Sequence, residues 1–298
     1  VPMPLPAKRV LVVGGGAAGL ACASSLRGAS IEVTLLEGSH RVGGRCRTEA
    51  FMPGFPCWEL GATWFHGCKG NPAWELHKDL GLLPAQASCR SRHTRPAHHH
   101  MRSDGVPVDV AAVSAVKGVL SRAIEECESG LAATTTTNVG NYLDDVWAAA
   151  RPNLLEDHPD HALLDAAWAA AQNYQCAVDG CGDLHEQGTV AYANYDEYDD
   201  RMMLSRADLG GFSKAMEALA KPLYEADALL LGKQVTCVRW SGCDSDVEVL
   251  CSDGSRHQAD IICLALPLEP ARRLTFEPPL PASKRVALDH VQLGKVEK

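Results

Sequence analysis

The chain has 298 residues, 46% of them hydrophobic, and a net charge of −9 from 37 acidic and 28 basic residues. That length suits about two domains, and the acidic balance disfavours nucleic acid and anionic membrane surfaces as partners while suiting a cationic ligand. No apolar run reaches the roughly 18 residues of a membrane-spanning helix, and the start at Val1 shows no basic-then-apolar signal sequence.

Residues 8–37 read as strand, helix, strand. An apolar run from Val10 to Val13 enters Gly14-Gly15-Gly16-Ala17-Ala18-Gly19, and a second, Ile31 to Leu36, ends on Glu37. Each part has a task in binding a dinucleotide. Gly14 permits the tight turn out of the strand, Gly16 lets backbone approach a pyrophosphate, and Gly19 lets the helix pack close on the strand. The helix N-terminus offers unpaired N–H groups to the phosphates. Glu37, at the tip of the second strand, can accept hydrogen bonds from ribose hydroxyls. An acid there argues against a 2′-phosphate and so favours NAD or FAD over NADP.

Residues 38–70 read as loop with short strands, and 72–81 as a helix with Pro72 in its first turn. Residues 86–107 are polar, and His93 and His98 to His100 read as part of a solvated loop. From 109 to 175 the apolar spacing is helical, with Gly130 ending the first helix. Residues 176–209 are acidic and Tyr-rich with little periodicity. GGFSKAMEALAKPLYEA (210–226) reads as a helix opened by a Gly-Gly turn. Asp253-Gly254 signals a hairpin, IICLALP (261–267) reads as a buried strand, and the last residues give a Pro-rich turn, a helix and the start of a strand. The twelve cysteines are scattered with no CxxC pair, which points to a reducing compartment.

Two further stretches carry chemistry. RVGGRCRT (41–48) sets Gly43 and Gly44 before Arg45, whose fork of donors suits a second grip on a pyrophosphate. WELGATWFHG (58–67) puts Gly61, Ala62 and Thr63 beside Trp64, Phe65 and His66; small residues let a flat ring lie against backbone, and aromatics line a pocket.

On these residues the chain resembles the flavin-containing amine oxidases, most of all their spermine and polyamine oxidase branch. Matching stretches are Gly14, Gly16, Gly19, Glu37, GGR at 43–45, ELGATWFHG at 59–67, GNP at 70–72, GGFSKAMEALA at 210–220, LGKQVTCVRW at 231–240 and FEPPLPASKRVALDHVQLGKVEK at 276–298. The resemblance implies an α/β fold in which a Rossmann-like FAD domain (1–85 with 206–275) is interrupted by a mainly helical α+β substrate domain (86–205 with 276–298). It implies FAD, hydride transfer from a polyamine C–N bond to flavin N5, and reoxidation by O2 to hydrogen peroxide, leaving an aldehyde and a smaller amine. Carried over, Glu37 binds the adenosine ribose, Arg45 the pyrophosphate and Val235 the adenine edge. Gly61, Ala62 and Thr63 face the isoalloxazine, Trp64 and His66 contact the polyamine, and Lys298 holds a water near N5.

Members of that family continue past the matched lysine, so the chain reads as truncated. It is expected to bind FAD poorly alone and to leave sheet edges uncovered. We expect a monomer with a small cationic substrate, no metal, no nucleic acid and no membrane, in the cytoplasm or, by an address beyond this chain, the peroxisome. The alternatives are a histone-lysine demethylase, an amino-acid oxidase, or an inactive nucleotide-binding fragment.

Overall fold

A computed structural model describes residues 9–83, 90–91, 100–195, 198, 201–240 and 246–294. In chain order it begins with β1 (Arg9–Val13), α1 (Ala17–Gly28), β2 (Glu32–Leu36), β3 (Thr48–Ala50), β4 (Cys57–Glu59), β5 (Trp64–His66), α2 (Pro72–Asp79) and β6 (Arg90–Ser91). The helices α3 (Val110–Glu128), α4 (Val139–Asp157), α5 (His161–Asp179) and α6 (Thr189–Ala193) follow. Then come β7 (Arg201–Leu204), α7 (Gly211–Tyr224), β8 (Leu229–Leu230), β9 (Val235–Arg239), β10 (Val247–Cys251), β11 (Arg256–Ala259), β12 (Ile261–Leu264), α8 (Leu268–Arg273), β13 (Thr275–Glu277) and α9 (Ala282–His290). Among the described residues no helix is long and apolar enough to cross a membrane.

Contacts divide the chain into two units: the described residues within 1–91 and 198–292, and those within 92–197 and 293–298. In the first unit a parallel sheet runs β12-β1-β2-β8. The apolar run of β1 is covered on both faces, as a parallel strand requires. Val10 and Val12 join Leu20 and Ala23 of α1 and Ala215, Met216 and Leu223 of α7 in one cluster. Leu11 and Val13 turn the other way, onto Val235, Val238, Val249 and Ala259 of the antiparallel strands β9 to β11. The result is a helix layer, a parallel sheet and a second sheet, with the period-two alternation of β1 assigning each side chain its layer.

Two expectations need correcting here. Thr275–Glu277 pairs in parallel with Cys237–Arg239, and Arg272 donates to Leu288 O (2.9 Å). Residues 276–292 therefore lie in the first unit and not with the helices. The run 261–267 reads as a buried strand, yet Ile261 is 49% exposed. Among the described residues β12 pairs with β1 on one side only, and apolar composition alone cannot tell an edge from a centre.

The second unit is helical. Asp109 caps α3 through Ala111 N (2.8 Å), Asn138 caps α4 through Asn141 N (2.8 Å), and Asp160 caps α5 through Leu163 N (3.0 Å). These short acceptors satisfy N–H groups that a helix start leaves orphaned. Gly180 ends α5 at φ +67, and Gly130 follows α3 at φ +83. Val116, Leu120, Leu143, Leu164 and Trp168 form the core, where Trp147 stacks on Trp168 at 4.6 Å.

Candidate functional site

The ends of β1 and β2 and the loops that follow them gather most of the residues singled out above. Gly14 leaves β1 at φ +109, where L side chains are strained, and a Cβ there would lie 2.4 Å from Ala265 O. A Cβ on Gly19 would lie 1.8 Å from Gly14 O, so any side chain would push α1 off the strand. Gly16 is different: among the described residues no atom beyond its chain neighbours and its own helix lies within 4 Å of its Cβ position, so its bare side opens on free space. It opens α1 without a side-chain cap, and the first turn of a helix leaves its N–H groups without intrahelical partners. The Glu37 carboxylate is fixed across the end of β2. Gly15 N donates to Oε2 at 2.6 Å and Ser39 N to Oε1 at 2.8 Å, which leaves acceptor capacity on both oxygens.

A second glycine loop lies against the first. Gly43 N donates to Gly15 O at 2.8 Å, and the Cβ position of Gly44 is 3.4 Å from Gly16 Cα. Gly43 and Gly44 take φ +101 and +55. Arg45 is exposed, and its side chain has no hydrogen bond or ion pair among the described residues. Arg41, four residues earlier, donates to the carbonyls of Val42 (3.1 Å), Gly44 (2.7 Å) and Cys46 (3.3 Å).

Residues 61–63 run beside this loop. Ala62 N donates to Arg45 O at 3.1 Å, and a Cβ on Gly61 would sit 1.6 Å from that oxygen. Thr63 Oγ1 donates to Gly61 O at 3.0 Å. Val235 begins β9 in the core, and its neighbour Gln234 has its Cα 3.4 Å from the Cβ position of Gly38, just past Glu37.

Strand alternation separates the aromatic residues of β5. Phe65 is buried against Phe212 (5.0 Å), Trp74 (5.4 Å) and His77 (4.8 Å). Trp64 and His66 point to the opposite, exposed face, with Trp64 across from the exposed Leu204. Asn71 holds the turn after His66: its Nδ2 donates to Gly67 O (3.0 Å) and its Oδ1 accepts from Ala73 N (3.0 Å). Lys298, His93, His98 and His99 lie outside the described residues.

Two polar residues of this region escape a reading by motif. Glu59 is a hub, accepting from Ser205 Oγ (2.5 Å), from Phe212 N in the first turn of α7 (3.0 Å) and from Thr48 Oγ1 (2.7 Å). Its place at the head of the matched stretch 59–67 gave it no role of its own. His77 is fully buried, its Nδ1 2.7 Å from Ala73 O and its Nε2 without a well-formed hydrogen bond among the described residues. Burial holds its imidazole below the ordinary histidine value. The same effect, with Glu59 nearby, pushes the Cys46 thiol up.

These residues fit a dinucleotide. The bare side of Gly16, the uncapped start of α1, the free Arg45 and the anchored Glu37 present donors for a diphosphate and acceptors for a ribose. The family model described as flavin containing amine oxidoreductase matches residues 17–298. The peroxisomal N(1)-acetyl-spermine/spermidine oxidase of Homo sapiens is 30% identical, covering 97% of this chain and 60% of that protein. Polyamine oxidase 3 of Oryza sativa subsp. japonica is 30% identical over 97% and 58%. Lysine-specific histone demethylase 1 homolog 2 of Arabidopsis thaliana is 31% identical over 97% and 37%. The chain thus spans about three-fifths of the length of the two oxidases. Wild-type putrescine oxidase bound to putrescine superposes with a TM-score of 0.63 at 22% identity, over 96% of this chain and 64% of that one, which speaks to the fold alone.

Proposed function

The chain belongs to the flavin-containing amine oxidoreductase family, and on that premise we propose that it serves FAD-dependent oxidation of a polyamine at a C–N bond. One observation carries the cofactor part: two glycine loops in backbone contact, with the free Arg45 on one side and Glu37 on the other. FAD, when bound, supplies the hydride acceptor that no side chain offers. Glu37 then holds the adenosine ribose, the start of α1 and Arg45 hold the diphosphate, and Val235 borders the adenine. Gly61, Ala62 and Thr63 are assigned the flavin ring in this reading, and the close approach of Gly61 to Arg45 O ties that stretch to the second glycine loop.

The substrate part is supported by the oxidase relatives, by the net charge of −9 and by the exposed pairing of Trp64 and His66 on one strand face. An aromatic face beside an imidazole suits an aliphatic chain bearing ammonium groups. His66 contacts the amine in this reading, and Lys298 is assigned the water near the flavin. O2 as oxidant and a peroxisomal address, the one that the human relative's name carries, belong to the same proposal.

The test is a titration of the purified chain with FAD, followed by anaerobic spermine. Weak binding, as expected above, still quenches flavin fluorescence at high chain concentration, and excess ADP restores it. Spermine should bleach the visible flavin band and an amino acid should not. No ADP-competable binding overturns the cofactor reading. Bleaching by an amino acid or a methyl-lysine peptide in place of spermine overturns the substrate reading.

A further inference from the structure

We infer that Arg41 is the positioning residue of the diphosphate grip: it does not touch the cofactor but aims the backbone amides that do. The inference rests on the cofactor reading above. Arg41 and Arg45 flank the same two glycines yet have opposite employments. The Arg45 guanidinium is exposed and free among the described residues. That of Arg41 is spent on three backbone carbonyls, those of Val42, Gly44 and Cys46.

Peptide geometry turns those three bonds into a direction. In a planar trans peptide the C=O of one residue and the N–H of the next point opposite ways. Arg41 draws Val42 O to itself, and the N–H of the same peptide, on Gly43, bonds to Gly15 O at 2.8 Å. That peptide therefore stitches the second loop to the first. Arg41 also draws Gly44 O at 2.7 Å, so the N–H of Arg45 points away from Arg41. Gly43 O accepts from Cys46 N at 2.9 Å, which turns the N–H of Gly44 away in the same manner.

Neither amide has another partner among the described residues, and Gly44 lies against Gly16. Two consecutive N–H groups, freed by left-handed glycines, make an anion-binding concavity. Without Arg41, two glycines at φ +101 and +55 have little to hold them there, since glycine readily leaves those wells. A lysine cannot replace it: three carbonyls on one side need the planar fork of donors, not a point charge.

The experiment compares Arg41→Gln and Arg41→Lys with the unaltered chain by calorimetric titration with ADP and with AMP. It adds amide hydrogen exchange over residues 42–46 without ligand. The single phosphate of AMP is served by the start of α1, whereas the second phosphate of ADP reaches the Gly44–Arg45 loop. We expect ADP affinity to fall about tenfold in both variants while AMP affinity changes less than about twofold, and exchange at the bonded amides of Gly43 and Cys46 to quicken about tenfold. A merely structural arginine would weaken both nucleotides alike, so an unchanged ADP-to-AMP ratio overturns the inference even if the melting temperature falls. If the unaltered chain binds neither ADP nor FAD, the cofactor reading fails. Exchange at 42–46 then decides for Arg41 alone, and unchanged rates overturn it.

Discussion

Order in the glycine loops and order in the helical unit are achieved by opposite means. Around Gly14, Gly19 and Gly61, backbone oxygens occupy the space where a side chain would start, so missing atoms set the geometry. In α3, α4 and α5 it is set by atoms present: three side-chain caps and a stacked pair of tryptophans. The first arrangement fails at single positions and is indifferent elsewhere. The second fails when atoms are removed, because truncating a buried side chain leaves a cavity.

The contrast is sharpest at two glycines three residues apart. Gly19→Ala should cost about 3 kcal/mol or more, because the obstacle is the backbone oxygen of Gly14 and cannot swing aside. Gly16→Ala should cost less than about 1 kcal/mol and yet weaken FAD binding, since its Cβ would stand in the open space. Urea unfolding with a flavin titration tests both, and equal stability losses would erase the distinction. In the helical unit Trp168→Ala should cost about 3–5 kcal/mol, read from the urea midpoint. A loss below about 1 kcal/mol would mean that the stack with Trp147 is ornamental.

A smaller effect separates the units by sign. His77, buried in the first unit, has its pKa lowered by burial. Its contribution is full above the unfolded value of about 6.5 and is lost as pH falls below it. His185, in the second, lies 2.7 Å from Asp183 and 3.1 Å from Asp144, hydrogen bonds that raise its pKa. Its contribution is present below about 6.5 and is lost as pH rises through the folded value; being half exposed, it is worth under about 1 kcal/mol. Unfolding midpoints from mildly acidic to mildly alkaline pH for His77→Leu and His185→Asn should lose slopes of opposite sign. A common sign would refute the assignment.

How much of this was legible in the sequence follows from the same physics. The strand, glycine turn, helix and second strand of 9–37 depend on sterics within a few residues, and the reading of Gly14, Gly16, Gly19 and Glu37 rests on that. The family and its α/β fold were likewise legible, from short motifs. The edge position of β12, the burial of His77 and the placement of 276–292 depend on what lies opposite, and no local pattern records that. Glu59 and Arg41 escaped for another reason. Arg41 acts on backbone carbonyls and Glu59 joins Ser205 and Phe212, far along the chain; neither set of partners is known until the loops are folded.

The pairing of β1 with β12 has a consequence for the order of assembly. Val10 meets Val33 of β2 on one side and Ile261 of β12 on the other, so one edge of β1 pairs at once while the other waits for a stretch far along the chain. The helices of the second unit close over short stretches of sequence and can form first, while the ribosome is still working. During that interval Leu11, Val13 and Leu36 stand bare, because they are covered by Val235, Val238, Val249 and Ala259. Of the two units, the one with the glycine loops is the later to mature and the more exposed to aggregation, and on the proposed function nucleotide supplied during refolding should rescue its yield more than the yield of the helices.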